Sequence, residues 1–208
     1  MATKSRKHQT QKQIRTLIIA AVVLVIAVAA VVVFTGKKSG LTGLHYVAID
    51  IEDYGTITAE LDADAAPITV ENFLKLADEH FYDGLTFHRI ISGFMIQGGC
   101  PLGNGTGGAD KDIKGEFAMN GVNNPLSHTR GVISMARSAL PDSASSQFFI
   151  MHQDNTYLDG GYAAFGRVLS GMEIVDAICQ DTPVTDDNGS VARENQPVIT
   201  TIRRIEKP

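Results

Sequence analysis

Arg89 and Gln97 are the side chains of this sequence best placed to do chemistry. They stand in the stretch Phe87-His88-Arg89-Ile90-Ile91-Ser92-Gly93-Phe94-Met95-Ile96-Gln97-Gly98-Gly99. Apolar and β-branched residues from Phe87 to Ile91 read as a strand. Ser92-Gly93 allows a bend, and Phe94 to Ile96 opens a second apolar piece. Arg89 falls where an apolar strand would bury it, and a buried guanidinium needs partners or a task. Phe94, Met95 and Gln97 follow closely enough to share one surface with it. An arginine, a glutamine and an apolar wall can hold a peptide while presenting one strong donor to it. The alternative is a core strand whose arginine is paired with a carboxylate. The stretch alone leaves both readings open.

Other chemistries find little support. Gly103-Asn104-Gly105-Thr106-Gly107-Gly108 satisfies G-x-G-x-x-G as a string. A dinucleotide site also needs a strand before it and a helix after it, and Ala109 to Gly115 ends in another glycine. The segment reads as backbone that must bend sharply. Six histidines (His8, His45, His80, His88, His128, His152) show no metal-ligand spacing, so no zinc site is expected. His88 would face the side of its strand opposite Arg89, as a hydrogen-bonded core or barrel-end histidine. Asp186-Asp187-Asn188-Gly189 resembles part of a calcium loop, but Val184 and Asn195 occupy ligand positions. Asn104-Gly105-Thr106 and Asn188-Gly189-Ser190 are glycosylation sequons, meaningful only in a host that glycosylates exported proteins. No serine sits in G-x-S-x-G and no Cys/His spacing suggests a nucleophile. No cofactor is expected.

The elements that must position Arg89 and Gln97 are mostly short strands. Tyr46 to Ile51 alternates, Tyr54-Gly55 turns, and Thr56 to Leu61 returns as a hairpin. Pro67 opens a helix on which Val70, Phe73, Leu74 and Ala77 share a face. Gly99 to Gly115 is a long surface loop. Further strands are expected over Gly131–Ala136, Ser146–Met151, Ala163–Val168 and Val198–Ile205, with a second helix over Met172–Ile178. Many short strands with two helices point to a closed barrel or a sandwich.

Charge divides the chain. Residues 1–16 carry five basic side chains and no acidic one, whereas the remainder holds 13 basic against 23 acidic residues, a net of -10. That acidic globular part is a poor partner for nucleic acid. Leu17 to Phe34 is uninterrupted apolar sequence of 18 residues, at the lower limit for crossing about 30 Å of hydrocarbon. It exceeds the roughly 7–15 apolar residues of a cleavable signal. Ala27-Val28-Ala29 matches a cleavage pattern but lies inside the run. An uncleaved single-pass anchor is therefore favoured over a removed signal peptide. Its basic N-terminal flank places residues 1–16 in the cytoplasm and the globular part outside. The expected organisation is a basic cytoplasmic tail (1–16), a transmembrane anchor (17–34), a linker (35–43) and one domain (44–208). Cys100 and Cys179 could form one disulfide or remain free thiols.

The stretch that opens on Phe87-His88-Arg89-Ile90-Ile91 resembles the signature of cyclophilin-type peptidyl-prolyl isomerases. Gly105-Thr106-Gly107-Gly108, Ser134-Met135-Ala136, Ser146-Gln147-Phe148-Phe149-Ile150, Leu158-Asp159-Gly160 and Phe165-Gly166-x-Val168-x-x-Gly171-Met172 match in order, so the resemblance covers roughly residues 45–206. It implies a mainly β fold: a closed eight-stranded antiparallel barrel capped by two α-helices, here preceded by a single transmembrane helix, as in a membrane-anchored, bacterial-like member. It implies a groove on the barrel's outer face, with Arg89 as the catalytic arginine and Gln97 positioning the substrate backbone and bracing that arginine. Phe94, Met95, Phe149 and Leu158 resemble the wall of the proline pocket. Ala136 and Arg137 match a segment whose main chain pairs with the peptide, and Gln147 another groove residue. Several positions depart from the family. Arg137 stands where asparagine is frequent, Ser92 where proline is usual, and Tyr162 where a pocket histidine is common. Tyr157 replaces a tryptophan that binds cyclosporin, which implies reduced affinity for that drug.

The activity so implied is cis–trans isomerisation of X-Pro bonds in unfolded or exported polypeptides, with the membrane as a second partner through residues 17–34. Tyr162 and Arg137 leave open a proline-peptide binding module or chaperone with little turnover. A purely structural exported domain would leave Arg89 without a use.

Overall fold

The computed structural model describes residues 40–208. Eight strands and two helices of four residues or more follow in order: β1 (Leu44–Ile51), β2 (Gly55–Asp62), α1 (Pro67–Asp78), β3 (Phe87–Ile91), β4 (Met95–Gly98), β5 (Val132–Met135), β6 (Phe148–Met151), β7 (Ala164–Ser170), α2 (Met172–Asp181) and β8 (Ile199–Ile205). All pairings are antiparallel, in the order β3-β4-β6-β5-β7-β2-β1-β8.

The expected closed barrel is not formed. The sheet is an open half-barrel with β3 and β8 as its edges. The chain between α2 and β8 lies along the outer edge of β3. Ile90 N–H donates to Gly189 O at 2.8 Å and Val191 N–H to His88 O at 3.0 Å. These bonds occupy the donors and acceptors that a closing ladder to β8 would need. The two edges meet only around the start of β3, through the isolated Thr86–Val198 bridge and three bonds: Phe87 N–H to Pro197 O at 3.0 Å, Ile199 N–H to Leu85 O at 2.7 Å, and Gly84 N–H to Ile199 O at 2.9 Å. Among the described residues no helix is long and apolar enough to cross a membrane, and the span expected at 17–34 lies outside them.

Alternation along the strands gives this one sheet two apolar layers. Inward residues such as Ile49, Ile57, Ile96, Ile133, Phe148 and Ile150 build the main core with the helices. On α1, Val70, Phe73, Leu74 and Ala77 are buried, and the Phe73 ring lies 5.1–5.4 Å from those of Tyr82, Phe148 and Phe165. Outward residues Met95, Val132, Phe149 and Met151 form a second, smaller cluster with Leu158 and Ala164. In β3 the alternation is interrupted. Phe87 pairs with Gly98 and Arg89 with Gln97, so His88 is an extra, bulged residue. It therefore does not face opposite Arg89, as strict alternation would have it, and both side chains line one cavity.

The start of α1 lacks a capping side chain of its own. Glu116, 2 % exposed, supplies one from the long loop: Ile68 and Thr69 donate their N–H groups to its carboxylate at 3.0 and 2.8 Å, and the Thr69 hydroxyl donates at 2.7 Å. An anion there also meets the positive end of the helix dipole. Glu116→Ala orphans these donors, and the expected loss is about 2–3 kcal/mol. For a domain of this size that lowers the thermal midpoint by roughly 5–10 °C, to be read by calorimetry or circular dichroism.

Candidate active site

The second apolar layer is the floor of a cavity of about 290 Å³ on the outer face of the sheet. Arg89, Phe94, Met95, Gln97, Ala136, Arg137, Phe149, Tyr157, Leu158 and Tyr162 line it. Ten of the eleven residues singled out from the sequence thus come together in one place. The eleventh, Gln147, lines an adjoining cavity of about 330 Å³ that shares Gln97, Ala136 and Arg137 with the first. Met95, Phe149 and Leu158 are buried, whereas Tyr157 is 73 % exposed and stacks on Phe94 with ring centroids 6.2 Å apart.

Arg89 reaches this cavity from β3 and carries no ion pair among the described residues. That removes the reading of a strand arginine paired with a carboxylate. Its Nε donates to Asn188 O at 2.8 Å and its Nη2 to Asn188 Oδ1 at 3.1 Å. Nη1 lies 3.5 Å from Gln97 Oε1, at the long limit of a hydrogen bond. Asn188, rather than Gln97, is therefore the main brace. Its loop presses closely on β3, because a Cβ at Gly189 would collide with Ile90 O and the φ of +79° suits glycine. Gln97 is itself held, donating to Gln147 Oε1 at 2.9 Å; Gln147 Nε2 donates to the carbonyls of Gly105 and Gly107 at 2.9 and 2.7 Å. The glycine-rich loop thus anchors the glutamine pair through its carbonyls.

At the opposite wall, Tyr162 stands edge-on to Phe149 at 5.9 Å. The Arg137 guanidinium lies 4.7 Å from the Tyr162 ring centre and 5.0 Å from that of Phe117. Arg137 Nε donates to Gly161 O at 2.9 Å and Nη1 to Ser138 O at 2.9 Å. Ala136 N–H donates to Gln147 O at 2.9 Å.

Behind Phe149, His128 stacks at 6.0 Å. Its Nδ1 meets Asp159 Oδ1 at 2.8 Å and its Nε2 meets Ser134 Oγ at 3.0 Å. Burial pushes this imidazole below its ordinary pKa against the pull of Asp159. Burial raises the Asp159 carboxyl, but hydrogen bonds from Ser127 and His128 outweigh it and hold it below the usual range. Serine, histidine and aspartate in this order mimic a hydrolytic triad, yet Ser134 is fully buried and offers no nucleophile. The array supports Phe149 from behind. The sequence alone assigns no role to this array, to Phe117 or to Asn188. Ser134 and Asp159 stand in blocks that match the family, and Asn188-Gly189 is a turn dipeptide that reads locally as part of a calcium loop or a sequon. Cys100 and Cys179 are both free thiols.

Residues 46–205 match the family model described as cyclophilin type peptidyl-prolyl cis-trans isomerase/CLD. The chain is 46 % identical over 144 residues to peptidyl-prolyl cis-trans isomerase B of Bacillus subtilis, covering 69 % of this chain and 92 % of that protein. It is 48 % identical over 146 residues to a peptidyl-prolyl cis-trans isomerase of Helicobacter pylori, covering 69 % and 86 %. A Cryptosporidium parvum cyclophilin type peptidyl-prolyl cis-trans isomerase superposes with a TM-score of 0.70 at 30 % identity, over 80 % of this chain and 100 % of that one. A second crystal structure of that protein, determined in the presence of the dipeptide Ala-Pro, superposes with a TM-score of 0.68 over 78 % and 99 %.

His88 yields a pH test. It is 6 % exposed and its Nδ1 has no hydrogen-bond partner. Burial, reinforced by the charge of Arg89, pushes its pKa down to about 4. The unfolded chain binds this proton near pH 6.5 and the folded chain only near 4. Stability is therefore fully present above about pH 6.5 and falls as pH drops through this window, by on the order of 1–3 kcal/mol. In His88→Gln that part of the slope should vanish from denaturant titrations run across the same pH range.

Proposed function

The chain belongs to the cyclophilin-type peptidyl-prolyl cis-trans isomerases and is such an isomerase; on that premise we propose that Arg89 drives rotation of an X-Pro bond seated in the 290 Å³ cavity. The observation that carries this assignment is a guanidinium held by neutral acceptors at the edge of a buried apolar floor.

The reaction needs no nucleophile. An X-Pro bond turns slowly because rotation breaks amide resonance, over a barrier of about 18–20 kcal/mol. At the twisted midpoint the proline nitrogen regains its lone pair and accepts a hydrogen bond better than either planar isomer does. A donor aimed at that nitrogen binds the transition state in preference to the ground states. Arginine suits the task because it stays protonated and its planar fork can be fixed from behind. Asn188 and Gln97 would do that fixing, leaving the charge uncompensated.

In this reading Phe94, Met95, Phe149 and Leu158 grip the proline ring and exclude water. Tyr157 and Tyr162 flank it, and Tyr162 takes its orientation from Phe149 and Arg137. Gln97 and Gln147, with the Ala136 carbonyl and the Arg137 N–H, hold the backbone beside the twisting bond, so that it turns between fixed ends. Tyr157 in place of tryptophan supports weakened cyclosporin binding.

The clients in this proposal are proline-containing segments of exported polypeptides, with the catalytic domain outside a membrane anchored through residues 17–34. The support for that placement is the sequence itself: five basic residues followed by 18 apolar ones.

The test is cis–trans exchange of an Ala-Pro peptide, followed by NMR on the full-length protein. Arg89→Ala should lower kcat/KM by about 10²–10³-fold while peptide binding persists, as expected when one transition-state donor is removed. Arg89→Lys should recover little, since a point charge lacks the braced fork. Unchanged exchange in Arg89→Ala would remove the arginine from the mechanism.

A further inference from the structure

The seven arginines among the described residues divide by position. Arg130, Arg167, Arg203 and Arg204 meet the carboxylates of Asp176, Glu60, Asp83 and Asp78 at 2.6–3.2 Å. Arg89, Arg137 and Arg193 form no such pair, and all three line the linked cavities around the site. In a domain (residues 44–208) with 11 basic against 23 acidic side chains, a net of -12, uncompensated guanidiniums gathered on one surface point to an anion from elsewhere. Arg137 is already engaged by two rings and backbone carbonyls. Arg193 is not: its Nη1 finds only Thr86 Oγ1 at 3.5 Å and Gln196 Oε1 at 3.4 Å.

Arg193 lines a cavity of about 870 Å³ on the side of Arg89 away from the apolar floor. Arg89 and Gln97 border both cavities, so the two are contiguous. The large cavity has no aspartate or glutamate in its wall, and its other polar side chains, among them Asn104, Asn188 and Gln196, are neutral. An extended chain advances about 3.3–3.6 Å per residue, so a polypeptide held at its proline reaches this cavity within a few residues.

We infer that this cavity is a subsite for an acidic residue of the substrate, whose side-chain carboxylate is held by Arg193. The inference rests on the isomerase reading and gives it a substrate class: X-Pro segments with an aspartate or glutamate a few residues from the proline. Guanidinium and carboxylate match as a two-pronged pair. Anchoring by Arg193 fixes one end of the peptide while leaving the Arg89 fork for the proline nitrogen. Arg89 adds to the attractive field without supplying the bond.

The experiment uses the full-length protein and a set of Ala-Pro peptides of one length. Each carries glutamate or glutamine at a single position up to about four residues on either side of the proline. Binding and exchange are measured at low and high ionic strength. At one position the glutamate peptide should bind about three- to tenfold tighter than its glutamine twin, and the preference should shrink as salt rises. It should disappear in Arg193→Gln, and in Arg193→Glu a lysine peptide should be preferred at that same position. Each preference is a ratio taken on one variant, so a partly destabilised protein does not mimic it. No preference at any position, or one that survives in both variants, overturns the inference. Exchange of the neutral peptide above background keeps the isomerase reading intact in that case, whereas its absence in the unaltered protein would strike that reading instead.

Discussion

A guanidinium that is held by a carboxylate has its charge largely spent, whereas one held by amide oxygens keeps it, and the site depends on this difference at Arg89. Asn188 supplies both strong acceptors, one from its backbone and one from its side chain. The fork is thus oriented at no cost to its charge, and it stands beside an apolar floor where electrostatic effects are least damped. Asn188 belongs to the segment between α2 and β8, far from Arg89 in sequence. Bringing it there requires that segment to run along the edge of β3. The same segment keeps β3 and β8 from forming a ladder, so the open edge of the half-barrel and the braced arginine are one structural feature.

The floor of the site follows from the alternation of a β-strand. One set of positions on β4, β5 and β6 turns inward to the main core, and the next set turns outward to Met95, Val132, Phe149 and Met151. An outward apolar layer on a solvent-facing sheet must be covered, and the loops that bring Leu158, Tyr157 and Tyr162 cover only part of it. What remains open is the cavity. Beneath it, the buried His128 links the buried Ser134 to the solvent-exposed Asp159, which fixes the ring of Phe149 more narrowly than apolar packing alone would.

Long loops reach this precision because their polar groups are tied to distant partners. Glu116 caps α1 across 47 residues, and Gln147 carries the bracing of Gln97 on to the glycine-rich loop. The bulge at His88 turns two neighbouring side chains of β3 toward one cavity. Such devices cost regularity in the sheet, and they gather around the site.

The local sequence determined what short-range physics controls. Period-two and period-3.6 patterns marked the strands and both helices, because burial on one face selects residue type at that spacing. Glycine at sharp bends and proline at the start of α1 marked the punctuation, and ten of the eleven marked site residues meet in one cavity. Tertiary structure alone decided whether the sheet closed, since that rests on which segment captures the edge of β3, a competition between backbones that carries no residue code. It also decided the partner of Arg89, the cap of α1, the seat of His128 and the division between paired and unpaired arginines. Each of these joins residues far apart along the chain, and a hydrogen bond or ion pair across such a separation leaves no periodic trace in the sequence.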